Sequence, residues 1–234
     1  MNNKRFFLLK MLIISVLLFF LCINGNTQNR ILKKKYFQKT SFLKKVEVLR
    51  SKFSKNKIIP KKIELAVLVA LSHYPELLNE RIDFRFKKLS TTMKAQPKFN
   101  FLFKSRKKRQ YVVYLNSKTK SSTGLALEEL TFNAFVGWLG HELAHIVDYA
   151  KKSNWRVVGT GVKYLNSKFK KKYERSIDLI TINHGLGYAL YEGMNYVYHN
   201  EKLSTDYKEN LMINYLSLDE IIVAATEYEA NKNR

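Results

Sequence analysis

Two histidines and a glutamate lie close together in "HELAH", residues 141–145 of a 234-residue chain. His141 and His145 are four apart, so in a helix they share one face and can direct both imidazoles at a single metal ion. Glu142 lies about 100° round the helix, near enough to act on a water at the metal without binding the metal. The pattern predicts hydrolytic metal chemistry; the alternative is a helix with two hydrogen-bonded histidines.

A catalytic zinc site needs a third protein ligand and an open coordination position. The segment "YERSIDLITINHG", residues 173–185, offers Glu174, Asp178 and His184 as candidates. Glu174 and Asp178 are four apart on a predicted helix. One could bind the metal while the other accepts a hydrogen bond from a ligand histidine and fixes its ring orientation. The alternative is an exposed acidic pair beside neighbouring lysines.

The pattern H-E-x-x-H, here "HELAH", is a signature of zinc metallopeptidases. The metzincin continuation of this signature is absent, because Asp148 and Lys151 occupy the positions of its glycine and third histidine. With E-x-x-x-D on a later helix, the sequence instead resembles the gluzincins, the thermolysin-type clan.

The resemblance implies one zinc ion (Zn²⁺) per chain, bound by His141, His145 and Glu174. It also implies that Glu142 is the general base and that Asp178 is the hydrogen-bond acceptor behind a ligand histidine. Asp178 as the third ligand, with Glu174 outside the ligand set, is the alternative.

Gluzincin-type sites use a further His, Tyr or Arg to stabilise the oxyanion. His184 and Tyr188 are candidates, because both lie one to three turns beyond the ligand helix. Alternatively, His184 caps a helix at the following "GLG" and Tyr188 packs in the core.

The elements that must position these residues predict an α+β fold, with a small antiparallel sheet followed by a mainly helical C-terminal half, and the gluzincin resemblance implies that this fold is zincin-like. Three strand-like runs are rich in aromatic and β-branched residues: 82–89, 99–103 and 111–115. Apolar residues at helical spacing predict helices at 63–71, 128–149, 155–169, 173–182 and 186–198, with one or two more between 205 and 231.

A basic run, "KSRKKR" at residues 104–109, falls between the last two predicted strands. We expect a charged hairpin turn that also protects a sheet edge. Specific nucleic-acid recognition is not expected, because no aromatic stacking pattern or groove-reading motif accompanies the run.

Residues 1–27 have the pattern of a signal peptide: a basic start, an apolar run at 11–23 and then the small and polar "NGNTQ". They predict export to the periplasm or the exterior, with cleavage near Thr27; the alternative is an uncleaved, membrane-anchoring signal. The single cysteine, Cys22, lies in this segment, so the exported chain could form no disulfide and any metal ligands must be His, Asp or Glu.

The formal net charge of +23 favours anionic partners, although lysines scattered along the chain are typical of a general compositional bias. Residues 28–62 form a basic N-terminal segment in which Phe42, Val46, Leu49 and Phe53 recur at helical spacing. Such a helix could dock on the catalytic body, residues 63–234, or lie on an anionic envelope surface through residues 30–62.

Together these patterns predict an exported zinc metallopeptidase that hydrolyses a peptide or protein substrate. The predicted strands could offer an edge along which a peptide pairs in extended form. The alternatives are a basic envelope-binding protein with a structural or vestigial metal site, and a non-peptidic zinc hydrolase.

Overall fold

A small sheet precedes a mainly helical half in the computed structural model, which describes residues 37–117 and 127–232. The predicted signal peptide and residues 28–36 of the basic segment lie outside these ranges. Within them, no helix is both long enough and apolar enough to cross a bilayer. The α+β prediction is confirmed at this level.

The elements follow one another in a simple order along the chain. The strands are β1 (Lys57–Ile58), β2 (Arg81–Lys87), β3 (Met93–Pro97) and β4 (Gln110–Asn116). The helices ahead of or within the sheet region are α1 (Lys39–Leu43), α2 (Val46–Phe53) and α3 (Glu64–Leu71). The later helices are α4 (Phe132–Lys151), α5 (Asn154–Lys163), α6 (Ser167–Thr181), α7 (Gly187–His199), α8 (Thr205–Asn214) and α9 (Leu218–Lys232).

The sheet is mixed, so the prediction of an antiparallel sheet was wrong. Its strand order is β1-β2-β4-β3, with β1–β2 and β2–β4 parallel and β3–β4 antiparallel. Strand β3 was missed because "MKAQP" has no β-branched or aromatic residue and ends in proline, which sequence patterns assign to turns. Because β3 pairs with the outer edge of β4, the other edge of β4 pairs with β2, and these two strands run parallel.

The predicted strand at residues 99–103 was also wrong, because Phe99–Phe103 forms a 3₁₀ turn. This turn and a second one at Arg106–Lys108 lie in the connection between β3 and β4, so the basic run belongs to a longer turn than expected. The aromatic residues suggested a buried strand, but Phe99 and Phe103 are exposed.

The basic N-terminal segment contains two short helices, α1 and α2, with a break between them. Helix α2 packs against α3 and buries Phe53, the last residue of its apolar side. Arg50 of α2 also pairs with Glu64 of α3, with 2.7 Å between Nε and Oε1. This apolar side is therefore directed at α3, as expected for the docked interpretation.

Helix α4 forms the centre of the helical half. It begins later than predicted, at Phe132, because the side chain of Thr131 caps it by accepting a hydrogen bond from the Ala134 N–H (3.2 Å). A Cβ at Gly137 would lie 2.2 Å from the carbonyl oxygen of Ala189, so only glycine allows α4 and α7 to approach this closely.

The predicted helix at 155–169 is interrupted before residue 167. The side chain of Asn166 accepts a hydrogen bond from the Phe169 N–H (3.0 Å) and begins α6 as a separate helix. Helix α6 then runs along α4 and presents Glu174 and Asp178 to it.

Candidate metal centre

His141, His145 and Glu174 meet in the interior between α4 and α6. All three are buried. Oε2 of Glu174 lies 3.2 Å from Nε2 of His141 and 3.4 Å from Nε2 of His145. The ligand atoms that the three residues offer all lie within 4.8 Å of one another. Two imidazole nitrogens and a carboxylate oxygen in this arrangement could hold a metal ion.

Asp178 and Glu174 lie on opposite sides of the His141 ring. Oδ1 of Asp178 is 2.9 Å from Nδ1 of His141, and Oδ2 of Asp178 accepts a hydrogen bond from the Leu216 N–H (2.9 Å). A carboxylate at Nδ1 holds a proton there, so Nε2 is the nitrogen that would be free to bind a metal ion. The structure therefore brings together the four residues that the sequence predicts for a metal site, and Asp178 contacts His141 without joining the cluster of candidate ligands.

The charges of this cluster favour a positive charge between its members. Burial lowers the pKa of His141, but hydrogen bonds to Asp178 and Glu174 outweigh burial and raise it to about 10. Burial likewise raises the pKa of Glu174, yet the neighbouring His145 and His141 hold it well below its usual range. Two carboxylates beside buried imidazoles thus stabilise a cation at this point, which a metal ion would supply.

Glu142 lies beside the cluster without joining it. Its side chain is buried, lines the same cavity as His145 and Glu174, and receives a hydrogen bond from the backbone of Ala95 in β3. Burial is the main cause that raises the pKa of this carboxyl group. A buried carboxyl group with a raised pKa can exchange a proton near neutral pH more readily than an exposed one.

Strand β3 presents its unpaired edge to this cavity. No described strand pairs with the other side of β3. The Lys98 N–H donates to the Gln110 carbonyl (2.8 Å), and hydrogen-bonded pairs alternate along an antiparallel ladder. Met93, Ala95 and Pro97 therefore direct their backbone groups away from β4, and Pro97 has no N–H to leave unpaired.

The cavity has a volume of about 950 Å³. Tyrosines line much of it near the cluster, and the Tyr164 hydroxyl donates to Oε1 of Glu174. The ring of Tyr215 lies 5.3 Å from the His141 ring, and among the described residues its hydroxyl has no hydrogen-bond partner. Burial raises the pKa of the Tyr215 phenol well above its usual range, so this hydroxyl keeps its proton.

His184 and Tyr188 do not line this cavity. Nε2 of His184 lies 2.8 Å from Oε1 of Glu76, its Nδ1 lies 2.6 Å from the Ile180 carbonyl oxygen, and its ring stacks on Tyr74 at 4.4 Å. These contacts hold the turn at Gly185, whose φ is 78°. Tyr188 is buried in α7.

Sequence reasoning did not identify Tyr164 and Tyr215. Tyr164 precedes Glu174 by ten positions and comes from the turn before α6, whereas Tyr215 comes from the connection between α8 and α9. No motif links either tyrosine to "HELAH", because only the folded chain brings them to the cavity.

No protein-family model, curated protein or solved structure matches this chain.

Proposed function

We propose that this chain is a zinc metallopeptidase of the gluzincin type with a zincin-like fold, exported as residues 1–27 predict. The observation that carries the proposal is the convergence of the His141, His145 and Glu174 ligand atoms within 4.8 Å beside the buried carboxyl group of Glu142. Chance placement of two histidines in one helix would not bring a carboxylate from a second helix to both Nε2 atoms.

The donor set favours a catalytic zinc site over a structural one. Structural zinc sites are closed by four protein ligands, whereas catalytic sites have three ligands and an open position. Here three donors lie together, and two of them, His145 and Glu174, border a cavity of about 950 Å³ that leaves room for a substrate. A bound zinc ion would lower the pKa of water toward 7 and polarise a substrate carbonyl.

Glu142 serves as the general base. Its carboxylate takes a proton from the attacking water and passes this proton to the leaving amine. The Ala95 backbone fixes the carboxylate beside β3, and the cavity walls shield it from bulk solvent. Asp178 orients His141 and Tyr164 orients Glu174, so the residues that hold the ion are themselves held.

The free edge of β3 favours a peptide as substrate. The backbone groups of Met93 and the carbonyls of Ala95 and Pro97 face the cavity side, where an extended peptide could add as a further strand. Such pairing would place a backbone carbonyl of the peptide next to Glu142 without requiring a particular side chain. A non-peptidic substrate would not use this edge.

Tyr215 is best placed to stabilise the oxyanion. Its hydroxyl lines the cavity close to the cluster and donates to no described residue, so it is free to donate to a developing negative charge. His184 and Tyr188 were predicted for this role, but they lie outside the lining of the cavity.

The direct test is the metal content of the full chain together with its action on a peptide library. We expect about one zinc per chain, with the zinc lost in His145→Ala and Glu174→Gln but retained in the control His199→Ala, whose ring is exposed on α7. Chelation should abolish peptide cleavage, and added zinc should restore it.

Two results would contradict the proposal. No zinc after reconstitution would leave "HELAH" as a helix with two histidines. Zinc that binds as expected, with no peptide cleaved but small amides or esters hydrolysed, would favour a non-peptidic hydrolase instead.

A further inference from the structure

Large apolar side chains project into solvent at the connection between β3 and β4 and at the start of α5. The exposed fractions are 95% for Phe99, 89% for Phe103 and 81% for Trp155, and Leu102 is also exposed. Phe103, Leu102 and Trp155 line one surface groove. We call these four residues the aromatic surface. Isolated exposed apolar residues are ordinary, but three large ones around one groove, with Phe99 in the same turn, indicate an interaction site.

Unpaired cations flank the aromatic surface. Residues 98–109 hold six Lys or Arg and no acid. Two of these are engaged, because Lys98 pairs with Asp83 (2.7 Å) and Arg109 is buried against the end of α4. The other four form no ion pair with any described residue, and we call them the basic turn: Lys104, Arg106, Lys107 and Lys108.

The aromatic surface is held in place by the body of the protein. Nδ2 of Asn154 donates to the carbonyls of Phe101 (3.0 Å) and Lys104 (2.9 Å), which joins the turn to the start of α5. Arg109 donates to the carbonyls of Tyr149 (2.6 Å) and Lys152 (3.1 Å) at the end of α4. The exposed side chains are therefore presented from a fixed backbone.

We propose that the aromatic surface and the basic turn dock this protein on an anionic lipid bilayer. Phe and Trp side chains favour the boundary between headgroups and acyl chains, and lysines and arginines beside them attract anionic headgroups. A strand of nucleic acid would match the charge, but it offers no apolar phase for Leu102 and two nearly fully exposed phenylalanines. Charge and apolar exposure together therefore favour lipid.

Docking through the aromatic surface would also bring the bilayer close to the cavity that His145 and Glu174 line. Phe99 belongs to the aromatic surface and lines the cavity together with Phe101, next to β3. A bilayer in contact with Phe99 would lie at the rim of this cavity. Substrates at or near the membrane surface would then have a shorter path to the cluster of His141, His145 and Glu174 than substrates in bulk solution. Docking itself does not depend on the reaction at the metal centre.

Trp155 gives a local readout in the full chain. The protein has two tryptophans, and the other, Trp138, is buried. On addition of phosphatidylglycerol vesicles we expect a blue shift of Trp155 emission, protection from iodide and quenching by acyl-chain-brominated lipid. Trp155→Phe should remove all three changes. This readout does not depend on which other part of the chain contacts the vesicle.

The charge contribution is tested with matched variants. Replacement of the four basic-turn residues by Glu should raise the lipid concentration for half-maximal quenching by at least about 500-fold, because each cation near an anionic surface contributes about fivefold to affinity. The control variant replaces four exposed lysines in and beside the N-terminal helices by Glu: Lys44, Lys45, Lys52 and Lys55. This control should bind vesicles nearly as the unchanged chain does.

Several outcomes would overturn the proposal. Trp155 could remain fully quenched by iodide while the chain sediments with vesicles, or it could respond equally to neutral phosphatidylcholine. The N-terminal control could lose binding while the basic-turn variant retains it. A response of Trp155 to a single-stranded oligonucleotide but not to vesicles would assign the surface to nucleic acid.

Discussion

Nδ1 of His141 lies 2.9 Å from Oδ1 of Asp178, in the interior between α4 and α6. The second oxygen of the same carboxylate accepts a hydrogen bond from the Leu216 N–H (2.9 Å), in the connection between α8 and α9. The buried Asp178 side chain on α6 thus fixes the ring of His141 on α4 and connects it to the segment between α8 and α9. Asp178 is positioned to set the geometry of the metal site from outside it.

Asp178→Asn should weaken zinc binding about 10- to 100-fold, the usual effect of changing a carboxylate behind a ligand histidine. His141 and the Leu216 N–H donate to different oxygens of Asp178, and an amide would place its NH2 group, a donor, against one of them. Competition with a chelator measures the change, and exposed Asp219→Asn is the control. Unchanged affinity in Asp178→Asn would argue against this role for Asp178.

Glu142→Gln should lower kcat for peptide cleavage by about 10²- to 10⁴-fold, because an amide cannot take the proton from the attacking water. Glu142 is no part of the ligand set, so zinc content should stay near one per chain. Steady-state kinetics and metal analysis of the same preparation test both parts. Full activity with zinc bound would remove Glu142 from the mechanism.

Tyr215→Phe should lower kcat about 100-fold with little change in KM, as the loss of one oxyanion donor does. Tyr188→Phe is the matched control, since Tyr188 is buried in α7 and does not line the cavity. The two variants distinguish Tyr215, the oxyanion donor that the structure favours, from Tyr188, the candidate that sequence spacing suggested. A loss in Tyr188→Phe with none in Tyr215→Phe would reverse the assignment.

The candidate metal ligands could be predicted from the sequence because their spacing is local. His141 and His145 share a face of one helix, and Glu174 and Asp178 share a face of another, so helical periodicity alone pairs them. The structure adds the contact between the two helices. Local periodicity likewise identified β2, β4 and the long helix α4, with errors of a few residues at their ends.

The sheet and the cavity depended on contacts that no local pattern carries. Strand β3 has weak strand propensity and exists because it pairs with β4, whereas the aromatic run at 99–103 has strong propensity but no partner strand. Tyr215 reaches the cavity through a connection about 70 residues after His145. Tertiary contacts therefore determined the position of β3 and the lining of the cavity, and they outweighed strand propensity at β3 and at residues 99–103.

The close approach of α4 and α7 requires glycine at position 137. A methyl group there would lie 2.2 Å from the Ala189 carbonyl oxygen, and backbone on both sides cannot move without separating the helices. Because α4 carries His141 and His145, its packing also sets the ligand positions. Gly137→Ala should therefore destabilise the fold by at least about 3 kcal/mol, at the upper end of overpacking costs.

Gly159→Ala is the matched control, because a Cβ on this α5 glycine would meet nothing within 4 Å. Alanine loses less backbone entropy than glycine on entering a helix, so this variant should be more stable by about 0.5–1 kcal/mol. Urea denaturation of the two variants beside the unchanged chain measures both effects. A similar gain in stability in both variants would show that helix propensity, rather than the approach of α7, governs these positions, and the packing argument for Gly137 would fail.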